Sequence, residues 1–246
     1  MNEDIEWGIC RCEICQAYQR ANAKEPFLPH PIHDRPWEKL GMDILEFAGK
    51  SFIIIVDNYC KWVQVKLLGA KSAVEVIKKF EDVFAVFGSS HLVISDNVLF
   101  NSYESGSSLS AENLNPHFPR ANRLAEKAVD IVKRMLCNVT ECQIHLSLAI
   151  IEYRNTPIAR IGLSPSQMLL HCHLKFKIPT HSDLLKPHIQ TYVPARLRTR
   201  QDSQKYYFDR SSKSLPDLCP GKSVRIQKGN KWAPAAVLSR FDAPRS

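Results

Sequence analysis

Three acidic residues occupy positions where a carboxylate needs an explanation. Asp43 interrupts the apolar run GMDILEF, Asp96 ends the run LVIS, and Glu126 lies near the start of a long amphipathic segment. A charged group inside a buried strand costs free energy unless it is paired. Carboxylates that converge from two strands and a helix supply the oxygen ligands that Mg²⁺ prefers, and two such ions promote phosphodiester chemistry. We therefore take these residues as candidate catalytic metal ligands.

Each acid also has an ordinary structural explanation. Asp43 could face solvent on an alternating strand, and Asp96 could begin an Asx turn with the residue after it. Glu126 could pair with Arg123 or Lys127 on an exposed helix face. The order of the three acids, on a first strand, a fourth strand and a helix, favours one shared site over three separate explanations.

The strands that must position these acids are visible as short apolar runs. Three of them, at residues 40–47, 51–59 and 62–68, are separated by gaps so short that they predict an antiparallel meander. A fourth strand is predicted at residues 92–95. Residues 101–118 are rich in Ser and Asn, show no period and predict a loop.

Helical patterns connect and follow these strands. Residues 72–86 predict a helix that Ser72 caps and Gly88 ends. A second helix is predicted from Pro119 to about Cys137, with one broad apolar face, and a third at 141–153. Strands joined through a helix predict an α/β fold, a mixed sheet with flanking helices.

The ends of the chain differ in composition from its centre. Residues 26–37 carry four prolines and predict an extended linker, and residues 179–214 predict a polar, basic connector. Residues 224–238, with Gly229-Asn230 as the turn, predict a hairpin that begins a small β module.

Charge and cysteine content limit the classes of partner and environment. The chain has a net charge of +8; residues 186–246 hold 13 Lys and Arg against 4 Asp and Glu, whereas residues 1–185 hold 20 against 21. A basic tail of this kind predicts a nucleic-acid partner, and the alternative is a tail that only aids solubility. No secretory signal or membrane-length apolar run is present, and the eight cysteines indicate reduced thiols or a metal site. We expect a soluble intracellular protein.

Several segments together resemble a known family. They are CEICQ, RPWEKLGMDI, FIIIVDNYCKW, LVISDN, NRLAEKAVDIVKRML, YRNTPIARIGLSPSQMLL and GNKWAPAAVLSRFDAPRS. In this order they are similar to a gypsy-type LTR-retrotransposon integrase over nearly the whole chain. The resemblance implies a ribonuclease-H-like core in which Asp43, Asp96 and Glu126 hold two Mg²⁺ or Mn²⁺ ions. It also implies 3′ processing of DNA ends and strand transfer, with retroelement ends and target DNA as partners, a homo-oligomer and a nuclear location.

The resemblance divides the chain into five parts. The expected domains are a remnant of a zinc-binding module (1–25), a linker (26–37), the catalytic core (38–178), a basic linker (179–214) and a truncated, SH3-like C-terminal β module (215–246). The predicted DNA-binding residues are Asn122, Arg123, Lys127, Lys133, Arg225, Lys228 and Lys231.

The zinc-binding module is incomplete in this sequence. Cys12 and Cys15 supply half of a tetrahedral zinc site, but no histidine precedes them and His30 and His33 follow in the wrong order. The segments Tyr153–Pro157 and Ser164-Pro165 are expected to form a turn with a structural role.

Two departures from the family bear on activity. Only 29 residues separate Asp96 from Glu126, fewer than the family keeps, and Val98 replaces the family's glycine. Glu104 and Glu112 are alternative third acids without a helix to position them. The sequence resembles a partial copy and leaves two functions open: an active polynucleotidyl transferase, or an inactive DNA-binding or assembly remnant. A plain ribonuclease-H-type nuclease fits the acids but not the flanking segments.

Overall fold

The computed structural model describes residues 2–20, 24–27, 29, 31–95, 114–115, 123–214 and 217–239. These residues form two compact units. The larger unit spans residues 31–201, and the smaller one is drawn from residues 1–30 and 202–244. The domain boundaries expected from the resemblance stay predictions.

A five-stranded mixed sheet organises the larger unit, in the order β3-β2-β1-β4-β5. β1 pairs antiparallel with β2, and β2 pairs antiparallel with β3, which confirms the predicted meander. β4 and β5 continue the sheet in parallel with β1. The strand bounds are Lys39–Phe47, Lys50–Asp57, Val63–Leu68, Leu92–Ser95 and Leu114–Asn115.

Alternation along the strands divides the core into two layers. Ile53 and Ile55 pack on the face that α3 (Ala73–Phe87) covers, whereas Ile54 and Val56 pack on the face that α4 (Arg123–Glu141) covers. Because successive side chains of a strand point to opposite faces, helices on both sides are needed to bury this sheet. The mixed sheet with flanking helices confirms the predicted fold class.

The helix between the third and fourth strands has the predicted ends. The Ser72 hydroxyl accepts a hydrogen bond from the Glu75 amide at 3.3 Å, and Gly88, at φ +81°, ends the helix. A positive φ costs a glycine little, so Gly88 can turn the chain towards β4.

The helix α4 buries one stripe of small and branched side chains. Ala125, Ala128 and Val132 are almost fully buried against β1 and β2. Alanine at the first two positions lets the start of α4 lie close to the sheet. The predicted start at Pro119 lies outside the described residues. Of the helices that the structure describes, none is long and apolar enough to cross a membrane.

Two boundaries after α4 differ from the prediction. α4 continues to Glu141, and the next helix, α5, spans Leu146–Asn155 with His145 as its N-cap. The predicted start at residue 141 was wrong because the apolar period continues through the end of α4. The predicted turn at Tyr153–Pro157 begins inside the last turn of α5.

Residues that lack a clear period were also mispredicted. Within the predicted loop 101–118, Leu114–Asn115 forms β5 beside Val93 and Ile94; the rest of that segment lies outside the described residues. A strand of two residues is too short for alternation to reveal it. Trp37, at the end of the predicted linker, is only 6% exposed and joins the core, where its indole N–H donates to the Gly88 carbonyl at 2.9 Å.

The predicted basic connector contains regular structure. A short 3₁₀ helix spans Ser182–Leu185, and α7 spans Val193–Asp209. Val193 and Leu197 anchor α7 in the core of the larger unit. Because few residues of α7 are buried, its apolar residues do not recur with a clear helical period, and the pattern did not predict this helix. Between α5 and α7, Ser164 caps α6, Pro165–Leu169.

The smaller unit combines residues from both ends of the chain. It contains α1 (Asn2–Arg11), α2 (Glu13–Ala17) and a hairpin of β6 (Ser223–Lys228) and β7 (Lys231–Ala236). The hairpin confirms the predicted turn at Gly229-Asn230. Within this unit the Trp232 indole N–H donates to the Gln19 carbonyl at 2.9 Å, and the rings of Phe27 and Phe208 lie 5.6 Å apart.

Candidate metal and nucleic-acid site

Asp43 lies in the middle of the central strand β1. It pairs with Ile54 of β2 and shares the strand face of Leu45, which packs in the α4 layer of the core. Asp43 therefore lies on the sheet face that α4 covers. Asp43 is nevertheless only half-buried, and its Oδ1 accepts a hydrogen bond from the Ile44 amide at 2.7 Å. A carboxylate that is oriented by a hydrogen bond and remains partly accessible can serve as a metal ligand.

Asp96 itself lies outside the described residues, but the residue before it is well defined. Ser95 ends β4 and pairs in parallel register with Met42, and its hydroxyl lies 3.9 Å from the Met42 sulfur. Asp43 follows Met42 and Asp96 follows Ser95 in the sequence. Met42 and Ser95 are neighbours on adjacent strands, and each acid directly follows one of them. Consecutive Cα atoms along a chain are about 3.8 Å apart.

Glu126 lies in the first turn of α4 and is exposed. Its neighbour Ala125 is fully buried against the sheet, so the backbone at Glu126 lies close to the face that carries Asp43. The structure thus places Asp43 and the start of α4 in the same layer. Within the described residues no three His, Cys, Asp or Glu side chains converge, and Asp96 is outside that set.

The donor chemistry of the predicted set fits divalent cations. Asp43, Asp96 and Glu126 offer only carboxylate oxygens, which are hard ligands suited to Mg²⁺ or Mn²⁺ and poorly suited to soft metals. Asp43 is partly exposed and Glu126 is exposed, which leaves room for water and substrate oxygens in the coordination shell.

The predicted DNA-binding residues fall on two surfaces. Lys127 and Lys133 are exposed on α4, whereas the side chain of Arg123 and the whole of Asn122 lie outside the described part. On the hairpin of the smaller unit, Lys228 and Lys231 are paired across the turn and exposed, and Arg225 is half-buried.

The cysteine pair lies at the start of α2. Cys12 is the N-cap of α2, and its sulfur accepts a hydrogen bond from the Cys15 amide at 3.5 Å. That hydrogen bond lowers the pKa of the Cys12 thiol, while the Cys12 sulfur raises the pKa of Cys15. In the described residues no further ligands join the pair, and His33 instead lies 3.7 Å from Glu38.

Sequence reasoning missed a buried carboxylate that organises the end of β2. Asp57 is fully buried, and its two oxygens accept hydrogen bonds from the amides of Trp37 at 3.1 Å and Cys60 at 2.8 Å. The sequence contains a signal for this role. An Asp at the end of a strand commonly accepts a hydrogen bond from a backbone amide of the turn that follows, here that of Cys60.

The last turn of α5 makes structural contacts. The Tyr153 hydroxyl donates to the Lys61 carbonyl at 2.9 Å, and the Arg154 guanidinium stacks 3.9 Å from the centre of the Trp62 ring. The Asn155 side chain donates to the Leu174 carbonyl and accepts from its amide, at 2.8 and 2.9 Å. These contacts fasten α5 to the sheet and to the segment after α6.

The chain is similar, over nearly its whole length, to longer proteins of a nematode and a fission yeast. An uncharacterized protein of Caenorhabditis elegans is 28% identical over 258 residues, covering 98% of this chain. The transposon Tf2-3 polyprotein of Schizosaccharomyces pombe is 24% identical over 274 residues, covering 96% of this chain. In both cases the match covers 20% of the relative, so the chain spans about a fifth of their length. No protein-family model matches the chain.

The fold is also found in a solved structure. A chain from the cryo-EM structure of the simian T-cell lymphotropic virus intasome, in complex with a PP2A regulatory subunit, superposes with a TM-score of 0.60. The match covers 98% of this chain and 82% of that chain, at 13% sequence identity. At this identity the similarity concerns the fold.

Proposed function

We propose, from the premise that this chain is an integrase-like protein of the LTR-retrotransposon type, that it is a DNA-binding polynucleotidyl transferase. The single observation that carries the proposal is the position of Asp43 on the central strand, under α4, beside the strand that leads into Asp96. The proposed reactions are 3′ processing of an element end and transfer of that end to target DNA.

The three acids have distinct proposed roles. Asp43 would be shared by both divalent ions, Asp96 would complete one site and Glu126 would complete the other. When bound, the ions supply Lewis-acid activation of the attacking oxygen and stabilise the leaving oxygen of the phosphodiester. Two observations support this assignment: β1 is paired on both sides, and Ala125 and Ala128, on either side of Glu126, are buried against the sheet.

The basic residues have the complementary task of holding the DNA backbone. Lys127 and Lys133 on α4, together with Arg225, Lys228 and Lys231 on the hairpin, are proposed to contact phosphates. Such contacts position the DNA and make its binding dependent on salt. We further propose that the active form is a homo-oligomer and that it works in the nucleus, where target DNA is found.

Strand transfer by the purified chain on a short DNA duplex with Mg²⁺ or Mn²⁺ tests the proposal. Replacing Asp96 with Asn should abolish product, and activity that survives this change would refute the assigned site. A thermal melt with and without Mg²⁺ provides a second readout, because a ligand that binds only the folded state raises the melting temperature. Glu126→Gln should remove that increase, whereas Glu141→Gln, at the exposed end of the same helix, should keep it.

The second candidate is an inactive DNA-binding or assembly remnant. The excess of positive charge in residues 186–246 favours it, since that charge does not depend on the acids. It predicts salt-sensitive DNA binding without metal-dependent transfer. A chain truncated after residue 185 that binds DNA as tightly as the full chain would contradict this reading.

A further inference from the structure

Three aromatic residues follow one another near the end of α7, and one of them packs within the smaller unit. The Phe208 ring lies 5.6 Å from the Phe27 ring, and the Lys24 ammonium lies 5.7 Å from the centre of the Phe208 ring. Tyr206 and Tyr207 instead keep 66% and 60% of their surface exposed. Their two rings meet edge to face, with centroids 5.4 Å apart. The fold therefore packs Phe208 and leaves Tyr206 and Tyr207, the tyrosine pair, at the surface.

The opposite face of α7 is fastened to the chain near Phe27. The Asp209 carboxylate accepts a hydrogen bond from the Phe27 amide at 2.7 Å, and the Lys205 ammonium donates to the Phe27 carbonyl at 2.7 Å. Lys205 and Asp209 also form an ion pair at 2.8 Å. Because residues three and four apart share a face of a helix, Lys205 and Asp209 lie on the face of Phe208. The tyrosine pair therefore points away from these contacts.

Exposed cations lie beside the tyrosine pair and beyond the end of α7. Arg210 is exposed and follows the two tyrosines by four and three residues, so it belongs to their side of the helix. Arg210 and Tyr206 line the same open cavity, which has a volume of about 470 Å³. Further on, the Lys213 amide donates to the Lys24 carbonyl at 2.8 Å, which brings two exposed lysines next to each other.

Two acids also line this cavity, Asp202 and Asp209. The charge of Asp209 is compensated by its ion pair with Lys205. Asp202 lies one helical turn before Tyr206, where a carboxylate can accept a hydrogen bond from the amino group of a base. The cavity thus combines an aromatic ring, a guanidinium group and an acceptor, which are the groups that a nucleotide needs for its base and its phosphate.

We propose that the tyrosine pair and Arg210 form a stacking site for unpaired nucleotides of a nucleic-acid strand. Bases stack on aromatic side chains when they are unpaired, and the Arg210 guanidinium can bind two oxygens of a phosphate. The excess of Lys and Arg in residues 186–246 favours a nucleic acid over a protein as the occupant. The site rests on the proposed function and deepens it, because 3′ processing shortens one strand and leaves unpaired nucleotides on the other.

Binding of the full chain to a short labelled single strand, measured in EDTA, tests the stacking site. Tyr206→Leu and Tyr207→Leu should each weaken binding about 5- to 150-fold, the loss expected for one stacked base. Tyr206→Phe and Tyr207→Phe keep the ring and should keep the wild-type affinity. The affinity for a blunt, fully paired duplex should not change in any of these variants. Tyr192→Leu is the matched control, because Tyr192 is an exposed tyrosine directly before α7 and outside the pair.

Salt dependence separates stacking from charge. Stacking involves no ion release, so the two Leu variants should keep the wild-type slope of log Kd against log salt concentration. Arg210→Gln should instead reduce that slope by about 0.7, the value for one phosphate contact on a single strand. Lys78→Gln, at an exposed lysine of α3, is the matched control and should keep the slope.

Three results would overturn the stacking site. The first is wild-type affinity for the single strand in either Leu variant; if Tyr207→Leu does not fold, Tyr206→Leu decides alone. The second is an equal loss of affinity for the blunt duplex. The third is self-association of the wild type that the Leu variants lose while single-strand binding is unchanged, which would make the pair a contact between copies of the chain. Because EDTA removes divalent ions, metal-dependent strand transfer and this measurement fail separately.

Discussion

Replacing Arg154 tests how α5 is fastened to the sheet. Its guanidinium donates to the Val63 carbonyl at 2.8 Å and to the Gln64 side-chain oxygen at 3.1 Å, and it stacks on Trp62. Burial lowers the pKa of Arg154 to about 10, so the group stays charged at neutral pH. Arg154→Lys keeps the charge but loses the planar fork that reaches two acceptors.

The expected loss follows from these contacts. A hydrogen bond from a charged donor contributes about 1.5–3 kcal/mol when one partner is removed, and a partly desolvated cation–π contact about 0.5–2 kcal/mol. A lysine recovers part of both, so we expect Arg154→Lys to lower the free energy of unfolding by about 2 kcal/mol. In a unit of this size that corresponds to a fall in melting temperature of about 4–8 °C.

Urea unfolding followed by tryptophan fluorescence measures the change, because Trp62 reports directly on the stacked contact. Arg134→Lys is the matched control, since Arg134 is exposed and, among the described residues, its Nε donates to the Asp130 carbonyl of its own helix at 3.3 Å. The control should change stability by less than about 0.5 kcal/mol. If Arg154→Lys changes it as little as the control does, the contacts of Arg154 do not stabilise the fold and the reasoning is refuted.

Three further predictions concern neighbouring parts of the same unit. Tyr153→Phe removes the donor to the Lys61 carbonyl and should cost about 1–2 kcal/mol at neutral pH, measured by denaturant unfolding; no loss would show that water replaces the hydroxyl. The lowered pKa of Lys61 means that the unfolded chain binds more protons than the folded one above pH 8, so stability from this group should rise between pH 8 and 10. Lys61→Gln should flatten that rise, and an unchanged pH profile would contradict it. Ser164→Ala breaks a capping box in which the Ser164 hydroxyl accepts from the Gln167 amide at 3.3 Å and the Gln167 side chain accepts from the Ser164 amide at 2.9 Å. It should cost about 1 kcal/mol and speed amide exchange in α6, and protection equal to the wild type would count against the cap.

The residue types and the order of the candidate site come from the sequence, and its geometry does not. Asp43 and Glu126 were selected because acids in apolar or amphipathic segments need partners, and this reasoning uses only neighbouring residues. The helix α4 covers the same sheet face as Asp43. This arrangement depends on the pairing of Asp43 with Ile54 in the sheet and on the packing of Ala125 against that face. No local pattern contains that information.

The surroundings of Lys61 show the opposite situation. Lys61 appears in the sequence as an ordinary lysine in a short gap between strands. In the structure its carbonyl accepts a hydrogen bond from the Tyr153 hydroxyl of α5, and its ammonium group donates to the Asn58 side-chain oxygen. The contact with Tyr153 joins elements far apart in sequence, so composition alone could not identify it.

The sequence by itself determined the local elements of this protein. Apolar runs separated by short gaps predicted the three strands of the meander, and Ser72 and Gly88 predicted the ends of α3, because such runs and caps depend on residues within a few positions. Only the tertiary structure decided the parallel insertion of β4 beside β1, the two-residue strand β5, the start of α5 and the docking of α7. These features depend on which apolar surfaces, distant in the sequence, are buried against each other. The free energy of that burial arises only when the whole chain folds and cannot be assigned to a single segment.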